Sequence, residues 1–286
     1  MRLSTFFLLI VGAAALAAIG WVFLRATADQ RAWRELLSYT GKPPGALDAA
    51  QLKRLKQLMS RRIPPGGDDL ALLGIYRLDP EGRVLVVEAA TRFTLPSSFS
   101  VRAHVLSSQG VLESSVDFSG GWRMDWISCE IIPSVEAGGP VLKAKIDNGF
   151  GGADVDCQYY AVVDGRLALI RLEDDGGRVA PNQYWATNLM IGPIPPDWDP
   201  ERWERSLHAD NPAQVLATLC WLGGKHLDPL HLDRESYHES KTAARAAADL
   251  RRRPTMNAHL RELMASPNRW IAEAATAASI VKENDD

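Results

Sequence analysis

Residues 155–172 read VDCQYYAVVDGRLALIRL, two apolar runs rich in β-branched and aromatic residues joined by Asp164 and Gly165. Asp-Gly between such runs supplies the two positive-φ residues of a type I′ turn, so the stretch predicts a tight antiparallel hairpin. Alternation along its first strand puts Val155, Cys157, Tyr159, Ala161 and Val163 on one face.

The same pattern recurs on the N-terminal side of this hairpin. LALLGIYRL from Leu70, RVLVVEAATRF from Arg83, SVRAHVL from Ser100, VLESSVDF from Val111, RMDWISCEII from Arg123 and VLKAKI from Val141 are short β-type runs divided by turn residues such as Asp79 to Gly82. With the two hairpin strands they predict an antiparallel β-sandwich or open barrel over residues 67–192. Around Cys129, the residues Ile127 and Ile131 share a face, so Cys129 and Cys157 are both expected to point inward. They either bridge, if the body lies in an oxidising compartment, or remain two free buried thiols.

On either side of the β region the periodicity becomes helical. Residues 26–39 and 46–62 read as two helices, the second placing Leu47, Leu52, Leu55, Leu58 and Met59 near one face and Lys53, Arg54 and Lys56 on others. Together they predict a helical stalk over residues 26–66, closed by the prolines and glycines after Ile63. Before it, Leu3 to Leu24 carries no charge. A helix of that length spans about 33 Å against a hydrocarbon core of about 30 Å, so residues 1–25 predict a single-pass transmembrane signal anchor in contact with lipid through residues 3–24. Trp21 and Arg25 suit its interfacial end. The competing reading is a cleaved signal peptide with Ala15 and Ala17 at its cleavage site. The short tail before the apolar run favours an extracytoplasmic body, although Arg25, Arg31, Arg34 and Lys42 favour the opposite side by charge.

Pro193, Pro195, Pro196 and Pro200 forbid regular structure and mark a boundary, after which residues 193–286 turn helical. Pro200 and Pro212 each follow an acidic or amide residue at a helix start, and Ser266 with Pro267 is expected to open the last helix. Two stretches here are alike: SLHADNPAQVLATL (206–219) and ELMASPNRWIAEAA (262–275). Each is a helix end, a polar turn and a helix of apolar and alanine positions, which resembles the helical hairpins of HEAT-type repeats. The resemblance implies stacked helices that expose a surface to protein partners. The expected fold class is thus α+β: transmembrane helix and stalk, β-sandwich or open barrel, and a helical-hairpin repeat segment.

Chemistry is thinly signalled. His226, Asp228, His231, Asp233, Glu235, His238 and Glu239 crowd one insert, and neutral imidazoles with carboxylates suit zinc, with His226, Asp228, His231 and His238 as the candidate ligands. Their spacing matches no H-E-x-x-H pair. Glu173 to Gly177, Asp147 to Gly149, Asp154 and Asp156 are oxygen-rich turn residues able to hold calcium, although turns select the same residues without a ligand. Trp122, Trp126, Tyr159, Tyr160, Tyr184 and Trp185 either line a carbohydrate or peptide groove or fill the β core.

No G-x-S-x-G or phosphate-cradling loop is present, and no serine or cysteine has a histidine pairing that spacing reveals. A net charge of -3 argues against a nucleic-acid partner. The expected function is therefore a membrane-anchored binding or scaffold protein with a protein partner and no cofactor. Its alternatives are a metal-dependent hydrolase using the histidine-rich insert, with zinc or calcium, and a cell-envelope carbohydrate-binding protein.

Overall fold

Asp164 and Gly165 adopt φ of 51° and 75°, so the hairpin that the sequence predicts is closed by two residues in the left-handed region. It joins β7 (Val155–Val163) to β8 (Arg166–Glu173). The computed structural model describes residues 21–22, 24–42, 44–63, 70–79, 82–91, 99–119, 127–147, 155–173, 177, 179, 200–223 and 245–280. Within them the remaining strands are β1 (Leu70–Arg77), β2 (Val84–Thr91), β3 (Phe99–Leu106), β4 (Leu112–Ser119), β5 (Ile127–Ser134) and β6 (Gly139–Asp147). Each lies on one of the runs read from the sequence. They form two antiparallel meanders, ordered β1-β2-β3-β4 and β5-β6-β7-β8.

The two sheets face each other. Leu85, Val87, Ala103 and Val105 of the first meet Leu142, Ala144, Tyr160 and Leu167 of the second in one buried cluster. Their edges also meet: Tyr76 Oη donates to the Cys129 carbonyl at 3.0 Å between β1 and β5, and Leu167 N–H donates to Ser114 Oγ at 3.4 Å between β8 and β4.

Each sheet is covered on its other face as well, which yields four layers. Over the first sheet lie α1 (residues 24–37) and α2 (Ala49–Met59). Trp33, Leu36, Leu55, Leu58 and Met59 are buried against Ile75, Val84, Val86 and Leu106. Asp48 caps α2 by accepting from Gln51 N–H at 2.8 Å, and Gln51 reciprocates to the Asp48 N–H. Burial on both faces explains why β2 reads Val84, Leu85, Val86, Val87 without alternation, all fully buried.

The stalk is therefore not a free stem. Trp33 Nε1 donates to the Ser108 carbonyl at 2.8 Å, and Arg62 donates to the Gly110 carbonyl at 2.9 Å while its guanidinium stacks over Trp33. Gly110 has φ of +77°, and a Cβ there would meet Arg62 at 2.5 Å and the Trp33 ring at 2.7 Å. We expect Gly110→Ala to cost more than about 1 kcal/mol, since both strain and overlap oppose it. A urea midpoint equal to the wild type's would show that the helices are not seated on this turn.

The predicted transmembrane helix is not supported: among the described residues no helix is long and apolar enough to cross a membrane, and residues 1–20 lie outside them. The described part of α1 carries Arg25, Asp29, Arg31, Arg34 and Glu35, and its apolar positions Ala32, Trp33 and Leu36 are spent on the sheet. Single-pass localisation with a signal anchor, which rested on that segment, loses its structural support.

The fourth layer covers the second sheet: α3 (Pro200–Leu207), α4 (Pro212–Leu222), α5 (residues 245–252), α6 (Pro254–Met264) and α7 (Arg269–Ile280). Val215, Leu216, Leu219, Leu222, Ala247, Leu250, Leu260, Ile271 and Ala275 share one core with Val141, Tyr159 and Ile170. The β7–β8 register shifts between Tyr159 and Tyr160, so Tyr159 faces Arg171 whereas Tyr160 faces Leu169. Such a bulge re-aims side chains, here turning both Ile170 and Arg171 toward the helices.

Candidate functional site

The stretches 206–219 and 262–275 each form a helix–turn–helix, α3–α4 and α6–α7. Asn211 caps α4, accepting from Ala213 N–H at 3.1 Å, with Pro212 at the first helical position as the sequence implies. At the second turn the cap is Asn268 rather than Ser266: its Oδ1 accepts from Ile271 N–H at 3.2 Å and its Nδ2 donates to the Glu136 carbonyl at 2.7 Å. Gly138 of the same β5–β6 turn lies against Pro212. Both hairpins thus rest the start of their second helix on that one turn.

The hairpins stack like on like. The second helices form an inner row against the sheet, where Ala274, Ala275 and Ala278 of α7 are buried with Leu216 and Leu219 of α4. The first helices form an outer row. Glu204 of α3 pairs with Arg253 at 3.0 Å and accepts from Thr255 at 3.3 Å. His259 of α6 stacks on His208 with centroids 3.8 Å apart, and its Nε2 lies 3.2 Å from the Leu207 carbonyl. Arg205, Asn257, Ala258, Arg261 and Met264 of this row are exposed.

A buried ionic cluster locks the inner row to the sheet. The Arg171 guanidinium, 4% exposed, pairs with Glu173 at 2.5 Å and with Glu273 of α7 at 2.7 Å, and stacks over Trp270. Tyr159 Oη donates to Glu173 at 2.7 Å, and its ring meets Trp270 edge-on. Burial pushes the Tyr159 phenol well above its ordinary value, and the hydrogen bond to Glu173 adds to the shift.

The residues singled out by sequence fare unevenly. His226, Asp228, His231 and His238, with Asp233, Glu235 and Glu239, lie outside the described residues, as do Trp122, Trp126, Tyr184, Trp185 and Asp154. Among the described residues no group of three or more histidines, cysteines or acids is placed to hold a metal ion. Tyr159 and Tyr160 are core residues.

Cys129 and Cys157 are both free, the second of the two alternatives that the sequence leaves open. Cys129 pairs with Ala144 of β6 and Cys157 with Lys145, so a whole strand separates them, and a bridge tolerates no more than about 7 Å between Cα atoms. They also point to opposite faces, Cys129 to the core between the sheets and Cys157 to the helices. The inward direction holds for each, but the fold has more than one inside. Burial pushes the Cys129 and Cys220 thiols up to about 12.

One polar constellation was hidden from the sequence. On the helix-facing side of the first sheet, His104 Nε2 lies 3.1 Å from Glu88 Oε1 and His104 Nδ1 lies 2.7 Å from Ser115 Oγ. Glu88 and His104 are 1% and 3% exposed, whereas Ser115 is exposed. Register alone brings them together: His104 pairs with Val86 on one side and Ser115 on the other, and Glu88 follows Val86 on the same face of β2. Comparison with family models, with curated proteins and with solved structures finds no match for this chain.

Proposed function

We propose that the chain is a binding or scaffold protein that meets a protein partner through the outer row formed by α3 and α6. The observation that carries this reading is the like-on-like stacking of the two hairpins. The second helices pack on each other and reach the sheet, α4 directly and α7 through Trp270 and Glu273, whereas the first helices touch through Glu204, Thr255 and the flanking Arg253 and through His208 and His259 and are left facing outward. HEAT-type arrays expose a helical surface to partners, and the resemblance of residues 206–219 and 262–275 to them points the same way.

The backing strengthens the proposal. A surface held by the Arg171 cluster and the Asn268 cap is preorganised, and a preorganised surface loses less ordering entropy on binding. The outer row mixes Arg205, Arg261, Glu201 and Glu262 with the apolar Ala258 and Met264, and a net charge of -3 fits a protein partner better than a nucleic acid.

The test is site-specific photo-cross-linking in the source cells. Benzoylphenylalanine at Arg205 and at Arg261 is expected to capture one and the same protein, whereas the probe at Gln109, on the far layer, captures none of it. Absence of a common adduct from the two outer-row positions would overturn the reading.

A further inference from the structure

We propose that Ser115, His104 and Glu88 form a nucleophilic site that accepts acyl groups from esters. The proposal concerns the first sheet, on the opposite side of the molecule from the helical hairpins, and stands independently of the partner surface.

Hydrogen-bond bookkeeping fixes the direction of the chain. A carboxylate only accepts, so the 3.1 Å contact to Glu88 puts the imidazole proton on Nε2. With the imidazole neutral, Nδ1 is then a lone pair, and the Ser115 hydroxyl 2.7 Å away is its donor. The serine proton is thus already aimed at a base whose other nitrogen is held by a carboxylate, the arrangement that activates a serine nucleophile.

Burial adds polarity to the arrangement. The base and the carboxylate are closed off from solvent while the hydroxyl-bearing residue is exposed, so an approaching electrophile meets Oγ first. The β3–β4 register shifts between Val105 and Leu106, where Glu113 is the extra residue of a bulge. Beyond it Ser114 turns to β8, accepting from Leu167 N–H, and Ser115 turns to His104.

The chemistry balances without a co-reactant other than water. Oγ forms a bond to the ester carbonyl carbon as its proton passes to His104 Nδ1. The bond from that carbon to the alkoxy oxygen breaks, and the leaving alkoxide takes the proton from Nδ1 as the alcohol. Water then attacks the acyl-serine with His104 again as base, releasing the carboxylic acid and restoring the hydroxyl. During each step Glu88 faces the imidazolium. It acts through His104 and is a positioning residue.

The experiment treats the full chain with a fluorophosphonate, which forms an Oγ–P bond as fluoride leaves with the serine proton. Fragment mass spectrometry is expected to place a single adduct on Ser115, formed at least about 100-fold faster than on N-acetylserinamide at the same pH, the scale of general-base assistance. Ser114→Ala keeps the adduct, Ser115→Ala loses it, and His104→Gln slows it by about 100-fold. In folded Glu88→Gln, nitrogen NMR should show the His104 proton no longer fixed on Nε2, together with slower labelling. No adduct on Ser115, or labelling of the wild type no faster than the free serine derivative, overturns the proposal. The second comparison needs no variant to fold.

Discussion

Tyr160→Ala is expected to destabilise the chain by about 3–5 kcal/mol, the range for removing a large aromatic ring from a packed core. Tyr160 is fully buried, and it joins Leu142, Ala144 and Leu167 of its own sheet to Leu85, Val87, Ala103 and Val105 of the other. A cavity here lies between two sheets that are each pinned on the outside by helices, so neither can move in to fill it. Tyr160 Oη donates to Gln158 Oε1 at 2.6 Å, and burial pushes the phenol far above its ordinary value, which keeps it a donor. Tyr160→Phe should therefore lose only about 0.5–1.5 kcal/mol. Urea unfolding of both variants checks the pair, and a loss below about 1 kcal/mol for the alanine variant would place Tyr160 outside a shared core.

Arg171→Met should cost about 3 kcal/mol, because it keeps the stem but removes the buried cation shared by Glu173 and Glu273, leaving Glu273 with the exposed Arg269 alone. The low end of the range for broken buried pairs applies, since Glu273 is 31% exposed and solvent screens part of the loss. Acid should expose the same cluster. Burial pushes the Glu273 carboxyl up, but hydrogen bonds from Arg269 and Arg171 outweigh it and hold the group below its ordinary value. A depressed carboxylate contributes stability above its unfolded value and loses it as pH falls through the folded one. The wild type should accordingly lose more stability than Arg171→Met between about pH 5 and pH 3, measured as urea midpoints. Parallel pH profiles for the two proteins would sink the claim that this cluster ties α7 to the sheet.

The strands were legible because each run ends at a turn residue with a mechanism, Asp164 and Gly165 above all. The helix α4 was equally readable from Asn211 and Pro212, whose cap is local, and α2 from the spacing of Leu52, Leu55, Leu58 and Met59. What depended on partners far along the chain was not legible. The sequence shows that Cys129 and Cys157 point inward but not that a sheet covered on both faces has two insides. Trp33 lies in a stretch that reads only as helix, and Ser108 and Gly110, some 75 residues on, show what it covers. Glu88, His104 and Ser115 follow no motif spacing because β-register decides which side chains meet, the Ser107 to Gly110 turn setting it between His104 and Ser115. The apolar run at the N-terminus illustrates the opposite error: hydropathy described a segment, and the described helix that follows it is charged and docked on a sheet.

Hydrogen exchange on the full chain shows whether the helical hairpins are a rigid surface backed by the second sheet. Amides of α4 and α7 should exchange as slowly as those of β6, β7 and β8 and be released together with them as denaturant is added. If α4 and α7 instead exchange early while the strands stay protected, the hairpins are loosely attached and the preformed partner surface is contradicted.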